Sequence, residues 1–445
     1  MRLDLPPSPV RSLLQKLIKA GLHAVDPYHA MLEQVSRTGD VLRVGRRQYN
    51  LAHIDRVFAV GAGKASARMA QGLEHVLGKR LEEGLVVVKT GHTLPTKRIT
   101  ILEAGHPIPN QAGVNATQRL LGLIHHLTPR DLLFVLLSGG ASSLLPAPVP
   151  GLTLTDKQHT TRLLLQCGAT INEINIVRKH LSLSKGGGLI TATQARIATL
   201  MLSDVIGDDL GSIGSGPTVP DPSTFADAIN VLRRYRIWQT VPAPVRHHLQ
   251  QGQQGLVPET LKPQRHPSRS VHHQIVGNNS LMTQAVDRAA RRVGLHTKRL
   301  SAAMVGEARI AAKQFARLAR HHVARQGQRR HPTCIIAGGE TTVTVSGGGR
   351  GGRAQEFATS AALEIANLPN TWIMAFGTDG TDGPTDAAGA LVSGTTAELA
   401  RAAGIDFEKA LKRNDTYPAL KALGCHIHTG PTGTNVNDLY LLLLL

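Results

Sequence analysis

Two glycine-rich tracts, GAGKAS at residues 61–66 and SGGASSLL at 138–145, put small residues, hydroxyls and a lysine where backbone N–H groups can gather round an anion. Gly61 and Gly63 in the first, and Ser138, Gly139, Gly140, Ala141 and Ser142 in the second, are the candidate phosphate-cradling residues. The first tract is not a Walker loop, which needs a glycine where Phe58 stands. It also lacks the third glycine of a dinucleotide fingerprint, since Ser66 occupies that place. Lys64 lies at a helix start, where the helix dipole disfavours a cation, so an anionic ligand explains it better than packing does. Further on, INIVRKHLSLSKGGG supplies Arg178, Lys179, His180 and Lys185. Some of these must form a solvated helix face, which leaves one or two to reach a ligand.

The acids are arranged in two groups. SDVIGDD carries Asp204, Asp208 and Asp209, and GTDGTDGPTDAAGA carries Asp379, Asp382 and Asp386. Hard carboxylates without histidine or cysteine partners suit magnesium, with Asp204 and Asp379 the first candidates, although Asp-Gly repeats also make plain turns. In GGGRGGRAQE, Arg350 and Arg353 offer the planar fork that phosphoryl groups favour; a solvated basic loop is the competing account.

The elements that must position these residues are strands ending in loops. Val57–Val60, GLVVVKTG, ITILEAGHP, DLLFVLLSGG and ARIATLML are continuous apolar runs alternating with helical stretches, the mark of a parallel sheet covered on both faces. Residues 10–36 read as one amphipathic helix. HHQIVGNN, PTCIIAGGETTVTVSG and TWIMAFGTDG predict a second set of strands, and the terminal LYLLLLL a last buried one. Ligands gather at the carboxyl ends of such strands. With 445 residues, 41% of them hydrophobic, the chain has material for two domains with a cleft between them. We place an N-terminal domain at 1–240, a boundary region at 241–270 and a C-terminal domain at 271–445.

Three cysteines without a CxxC pair point to a reducing compartment, and a proline-containing start with no long apolar run predicts a soluble cytoplasmic protein with no membrane partner. The net charge of +19 is concentrated between Arg233 and Arg330, where 19 Lys and Arg face three acids. That segment has no aromatic interleaving and no nucleic-acid motif, so a solvated basic helix face outranks nucleic-acid binding.

Taken in order, AVGAGKASARMA, AGHPIPN, LLSGGASSLL, INEINIVRKHLSLSKGG, LSDVIGDDLGSIGSGPTVPDP, IVGNN, GGETTVTVSGGGRGGRAQE, GTDGTDGPTDAAGA and GPTGTNVNDL resemble the glycerate 2-kinase family. The resemblance implies a Rossmann-like N-terminal α/β domain, a smaller C-terminal α/β domain with a MOFRL region near 332–440, and an active site in the cleft. It also implies magnesium-dependent transfer of the ATP γ-phosphoryl group to the 2-hydroxyl of D-glycerate, with Lys64 and Arg353 the candidate catalytic residues. Ala354, Gly188 and Asn110 depart from the family's usual asparagine, arginine and aspartate. Members are often labelled hydroxypyruvate reductase, and an NAD(P)H-dependent reductase is the runner-up, weakened by the incomplete dinucleotide fingerprint. The partners expected are glycerate and a nucleotide, with a homodimer left open.

Overall fold

The structure, a computed structural model, describes residues 3–265, 271–300, 303–326 and 331–445. They divide into two compact units, Pro27–Val276 and Met1–Asp26 together with Gly277–Leu445.

The first unit is built on a six-stranded sheet of β1 (Val57–Ala62), β2 (Leu81–Lys89), β3 (Ile99–Ala104), β4 (Leu132–Leu137), β5 (Arg196–Leu202) and β6 (Val271–Gly277), in the order β3-β2-β1-β4-β5-β6. β1 pairs in parallel with β2 and β4, β2 with β3, and β4 with β5. This is the doubly wound order, and its direction reverses between β1 and β4, so a crevice opens beyond the carboxyl ends of those two strands. Every residue of β1 and β4 is buried, which continuous apolar strands between two helical layers require. Helices α1 (Ser66–Leu77) and α2 (Gln111–His125) follow β1 and β3. A separate helical cluster includes α3 (Leu154–Gln166) and α4 (Ile171–His180), packed through Leu164, Val177 and Phe225. Capping boxes start both helices, at Thr153 with Asp156 and at Thr170 with Glu173.

The second unit holds a seven-stranded mixed sheet. Its strands are β7 (His296–Arg299), β8 (Met304–Glu307), β9 (Thr333–Thr342), β10 (Thr371–Gly377), β11 (Gly389–Ser393), β12 (His426–Ile427) and β13 (Asp438–Leu444). The predicted terminal strand is β13, buried throughout and antiparallel to both β9 and β10. Helices α5 (Asn279–Arg292), α6 (Ala308–Gln326) and α7 (Arg353–Glu364) complete the unit.

The domain limits drawn from the sequence differ from this division in two places. Helix Ala243–Gln253 lies within the 241–270 stretch but buries Val245 and Leu249 in the helical cluster of the first unit; residues 266–270 of that stretch are outside the described residues. The predicted 10–36 helix is two helices, Arg11–Ala24 and Pro27–Gln34, and they go to different units. Pro27 opens the second helix, a position that tolerates its missing N–H. The first buries Leu14, Leu17, Ile18 and Leu22 and meets α5 where Gly21 leaves room for Val286 and Met282, whose side chains would lie 2.9 and 3.2 Å from a Cβ there. An apolar stripe goes where a complementary face exists, however far along the chain.

Candidate active site

In the first unit the two glycine tracts meet at the crevice between β1 and β4. The Lys64 N–H donates to the carbonyl of Gly139 at 2.9 Å, and the Ser138 hydroxyl accepts from the Ala65 N–H at 3.0 Å and bonds the Ser66 hydroxyl at 3.0 Å. Ser138 therefore acts first as the staple between the loops and as a partner for the otherwise unpaired N–H just ahead of α1. Gly61 and Gly63 make this approach possible. A Cβ on Gly61 would lie 2.1 Å from the Leu136 carbonyl oxygen, and one on Gly63, at φ +142°, would lie 2.0 Å from the Ser138 Oγ. Gly140 is left-handed at φ +91°, with the His106 ring 2.8 Å and the Lys64 Cγ 3.6 Å from where its Cβ would be. On the neighbouring residue, a Cβ at Gly139 would meet an Asp204 carboxylate oxygen at 2.2 Å.

The predicted Lys64, Gly61, Gly63, Ser138, Gly139, Gly140 and Asp204 are thus one cluster. Ala141 and Ser142 follow in a single helical turn, Ala141–Leu144, too short to carry much dipole, so the anion attraction here comes from Lys64 and loop N–H groups. Ala141 is buried. The Lys64 ammonium makes no hydrogen bond or ion pair among the described residues, while its backbone is held at both N–H and carbonyl.

His106 was not singled out from the sequence. Its imidazole is pushed down to about 4 by burial, with Lys64, Lys89 and His92 adding to the effect, so at neutral pH it is an uncharged hydrogen-bonding group beside the loop. Asn110 caps α2 by accepting from the Gly113 N–H at 3.1 Å and also takes the Gly105 N–H at 2.9 Å. Asparagine and aspartate both fill this role, so the departure at that position keeps the local structure.

The basic tract of α4 is sorted by partner. Lys179 pairs with Asp221 at 3.3 Å and His180 with Glu259 at 3.2 Å. Lys185 instead donates to the Ser142 carbonyl at 2.6 Å and to its hydroxyl at 3.1 Å. The Ser142 hydroxyl also bonds that of Ser215 at 2.7 Å.

In the second unit Arg353 is the first residue of α7, not part of a mobile loop. Its Nε and Nη2 donate to the two oxygens of Asp438 at 2.7 and 3.0 Å, and its Nη1 to Glu340 at 2.5 Å. Asp438, at the head of β13, is 1% exposed and also accepts from the Tyr440 hydroxyl at 3.0 Å. Burial pushes its carboxyl up to about 7 against the pull of Arg353. Burial alone would loosen the proton of Arg353, but Asp438 and Glu340 outweigh it, so the guanidinium stays charged.

The acids of the 377–390 loop hold the structure together. Asp382 is buried and caps α7, accepting from the N–H groups of Ala354 at 3.0 Å and Gln355 at 2.9 Å. Asp386 accepts from the Tyr417 hydroxyl at 2.7 Å, and Asp379, half-exposed, accepts the Thr381 N–H at 3.0 Å in a local turn. Arg350 lies over the Tyr417 ring at 4.8 Å. No group of three or more His, Cys, Asp or Glu side chains among the described residues is arranged to hold a metal by itself.

Residues 13–250 match the family described as a domain of unknown function (DUF4147), and 333–438 match the MOFRL family. The chain is 41% identical to the glycerate 2-kinase of Pyrococcus horikoshii, covering 97% of both chains. It is 39% identical to the D-glycerate 2-kinase of Thermotoga maritima, covering 98% of both. An Agrobacterium vitis relative named putative hydroxypyruvate reductase is also 39% identical, over 98% of this chain and 94% of that one. The crystal structure of the Thermotoga maritima glycerate kinase superposes with a TM-score of 0.87, over 99% of this chain and all of that one, at 39% identity. Identity of 39 to 41% over nearly the full length, both domain matches and a shared fold together make this chain a member of the glycerate 2-kinase family.

Proposed function

We propose that the protein transfers the γ-phosphoryl group of ATP to the 2-hydroxyl of D-glycerate, forming 2-phosphoglycerate, with magnesium. The observation that carries this reading is Lys64. It is an ammonium held by its backbone at the switch point of a doubly wound sheet, against a left-handed glycine loop, with no acid paired to it among the described residues. Phosphoryl transfer asks a protein chiefly to position reactants and to stabilise charge on the equatorial oxygens. In this reading Lys64 and the loop N–H groups of 139–142 hold the nucleotide phosphates, and Arg353, a charged guanidinium of the second unit, is the other candidate catalytic residue. Magnesium is commonly held by one or two carboxylates together with substrate phosphates and waters, which fits a single acid beside a phosphate loop. Asp204 is the leading candidate and Asp379 the next. When bound, the ion would neutralise charge on the phosphate oxygens.

The reductase reading needs a pyrophosphate cradle whose third glycine allows close helix packing. Ser66 is there, buried, bonded to Ser138 and donating to the Leu136 carbonyl at 3.3 Å. Its side chain fills the place that fingerprint keeps open. No helix among the described residues is long and apolar enough to cross a membrane, and we read the protein as cytoplasmic because its three thiols are free. A homodimer belongs to the same proposal and is checked by light scattering.

The deciding measurement offers ATP with D-glycerate or L-glycerate and, separately, hydroxypyruvate with NADH. Magnesium-dependent ADP formation with D-glycerate and no NADH oxidation is expected. NADH oxidation without ADP release would reverse the assignment.

A further inference from the structure

Three cations of the first unit, Lys157, Arg178 and Lys185, have no acid paired to them among the described residues. Lys157 on α3 is 8% exposed, and its Nζ is buried without a hydrogen-bond partner. Lys185 is 3% exposed and turned onto Ser142. Arg178 on α4 is half-buried, with no hydrogen bond or ion pair among the described residues. All three are close enough to act on one another. Burial first, then the charge of Arg178, pushes the Lys157 ammonium down to about 7, and Lys185 is pushed down by burial, by Arg178 and by Lys157. The carboxylates at hand are used elsewhere: Asp221 pairs with Lys179 and Glu259 with His180. Burying a cation without a counter-charge costs several kcal/mol, and three like charges repel. An anion between them removes both penalties.

We propose that Lys157, Arg178 and Lys185 form the subsite that takes the carboxylate of the hydroxy-acid substrate. This deepens the kinase reading and rests on it for the identity of the ligand. The loop 138–145 supplies the reason to choose carboxylate over phosphate. Its glycine end, at Gly140, packs against Lys64, while its serine end, at Ser142, is held by Lys185. One loop thereby separates a cation for the phosphoryl group from a cation cluster for the other anionic end of the reaction. The planar fork of Arg178 matches a carboxylate's two oxygens, and the Ser142 and Ser215 hydroxyls beside Lys185 can accept or donate to the acid's own hydroxyls.

The test uses the full-length protein with Lys157→Met and Arg178→Gln, and reads calorimetric binding of D-glycerate and of a non-hydrolysable ATP analogue separately. Glycerate affinity should fall by about tenfold or more in each variant, as loss of a charged hydrogen bond implies, with nucleotide affinity unchanged. Glyceramide, the neutral amide, should bind the wild type weakly and be nearly indifferent to either change. Lys157→Met should melt no lower than wild type, since an apolar chain of similar volume replaces a buried charge; if it fails to fold, Arg178→Gln decides alone. Weaker nucleotide binding with unchanged glycerate binding would overturn the proposal, as would no change in either. If the wild type shows no ATP-dependent turnover of glycerate, the kinase reading fails separately. The subsite is then judged with D-lactate, whose binding to wild type and loss in Arg178→Gln sustain it, and whose failure to bind wild type overturns it.

Discussion

Lys64 and Arg353 each stand at the start of a helix, but their surroundings have little in common. Lys64 is fixed through its backbone, by the Gly139 carbonyl and the His92 ring, and its ammonium makes no hydrogen bond or ion pair among the described residues. Arg353 is fixed through its guanidinium, by Asp438 and Glu340, before any ligand arrives. A cation held by its main chain can be removed without leaving a buried charge behind. One held by its side chain cannot, because Asp438 would remain buried and unpaired. The two sites therefore call for different tests, and a glycine-rich neighbourhood does not by itself show which kind of site is present.

The largest expected effect is on Lys64→Ala. Turnover should fall by about a thousandfold or more, while unfolding free energy stays within about 0.5 kcal/mol of wild type. Near-normal turnover would reduce Lys64 to a turn residue and remove one side of the contrast.

Arg353→Ala should lower turnover comparably and also cost up to about 3 kcal/mol of stability, the penalty of orphaning a buried carboxylate. The pH dependence sharpens this. The Asp438 carboxyl sits at about 7 in the folded protein, above its ordinary value because of burial, so its contribution to stability is full below the ordinary carboxylate range and is lost as pH rises through about 7. Without Arg353 the carboxyl rises further and can take a proton at acidic pH. The melting deficit of Arg353→Ala should accordingly be smaller at pH 6 than at pH 8.5, and Asp438→Asn in the same chain should recover much of it. An equal deficit at both pH values would show that the pair is not what holds the helix start.

The acids divide along the same line. Asp382→Ala removes the cap of α7 from a buried position and should cost about 1–3 kcal/mol with the magnesium requirement unchanged. Asp204→Asn should do the reverse, raising the magnesium needed for half-maximal rate with little change in melting. If Asp204→Asn leaves that requirement alone, Asp379→Asn is the next variant to titrate.

Much of the first unit's site was legible because it depends on short-range pattern. A run of buried apolar residues closed by small ones, as at Val57–Gly63 and Leu132–Gly140, is a strand, a tight turn and a helix start wherever it occurs. The face of α6 is less legible. Of the apolar positions Ile310, Phe315, Leu318 and Val323, the last three pack on the core, but Ile310 is 56% exposed, and Ala308, Ala311, Ala312, Ala316 and Ala319 complete the buried face. Alanine carries too little area to announce a face, and only a close-packed neighbour such as α7 selects it. The two remaining departures from the family pattern are likewise explained by neighbours. A side chain at Gly188 would meet the Leu183 carbonyl oxygen at 2.1 Å, and Ala354 is buried in the core, where an asparagine amide would need partners.

By itself the sequence determined the main strand and loop order, the two-unit content, the glycine loop around Lys64 and the family. Only the tertiary structure decided which charges are spent and which are available. Asp382 caps α7 by accepting from Ala354, 28 residues earlier in the chain, Arg353 bonds a carboxylate 85 residues away, and Lys157 and Arg178, on different helices, are near enough for one charge to act on the other. Desolvation and pairing depend on what surrounds a group in space, and nearest neighbours along a chain report very little of that.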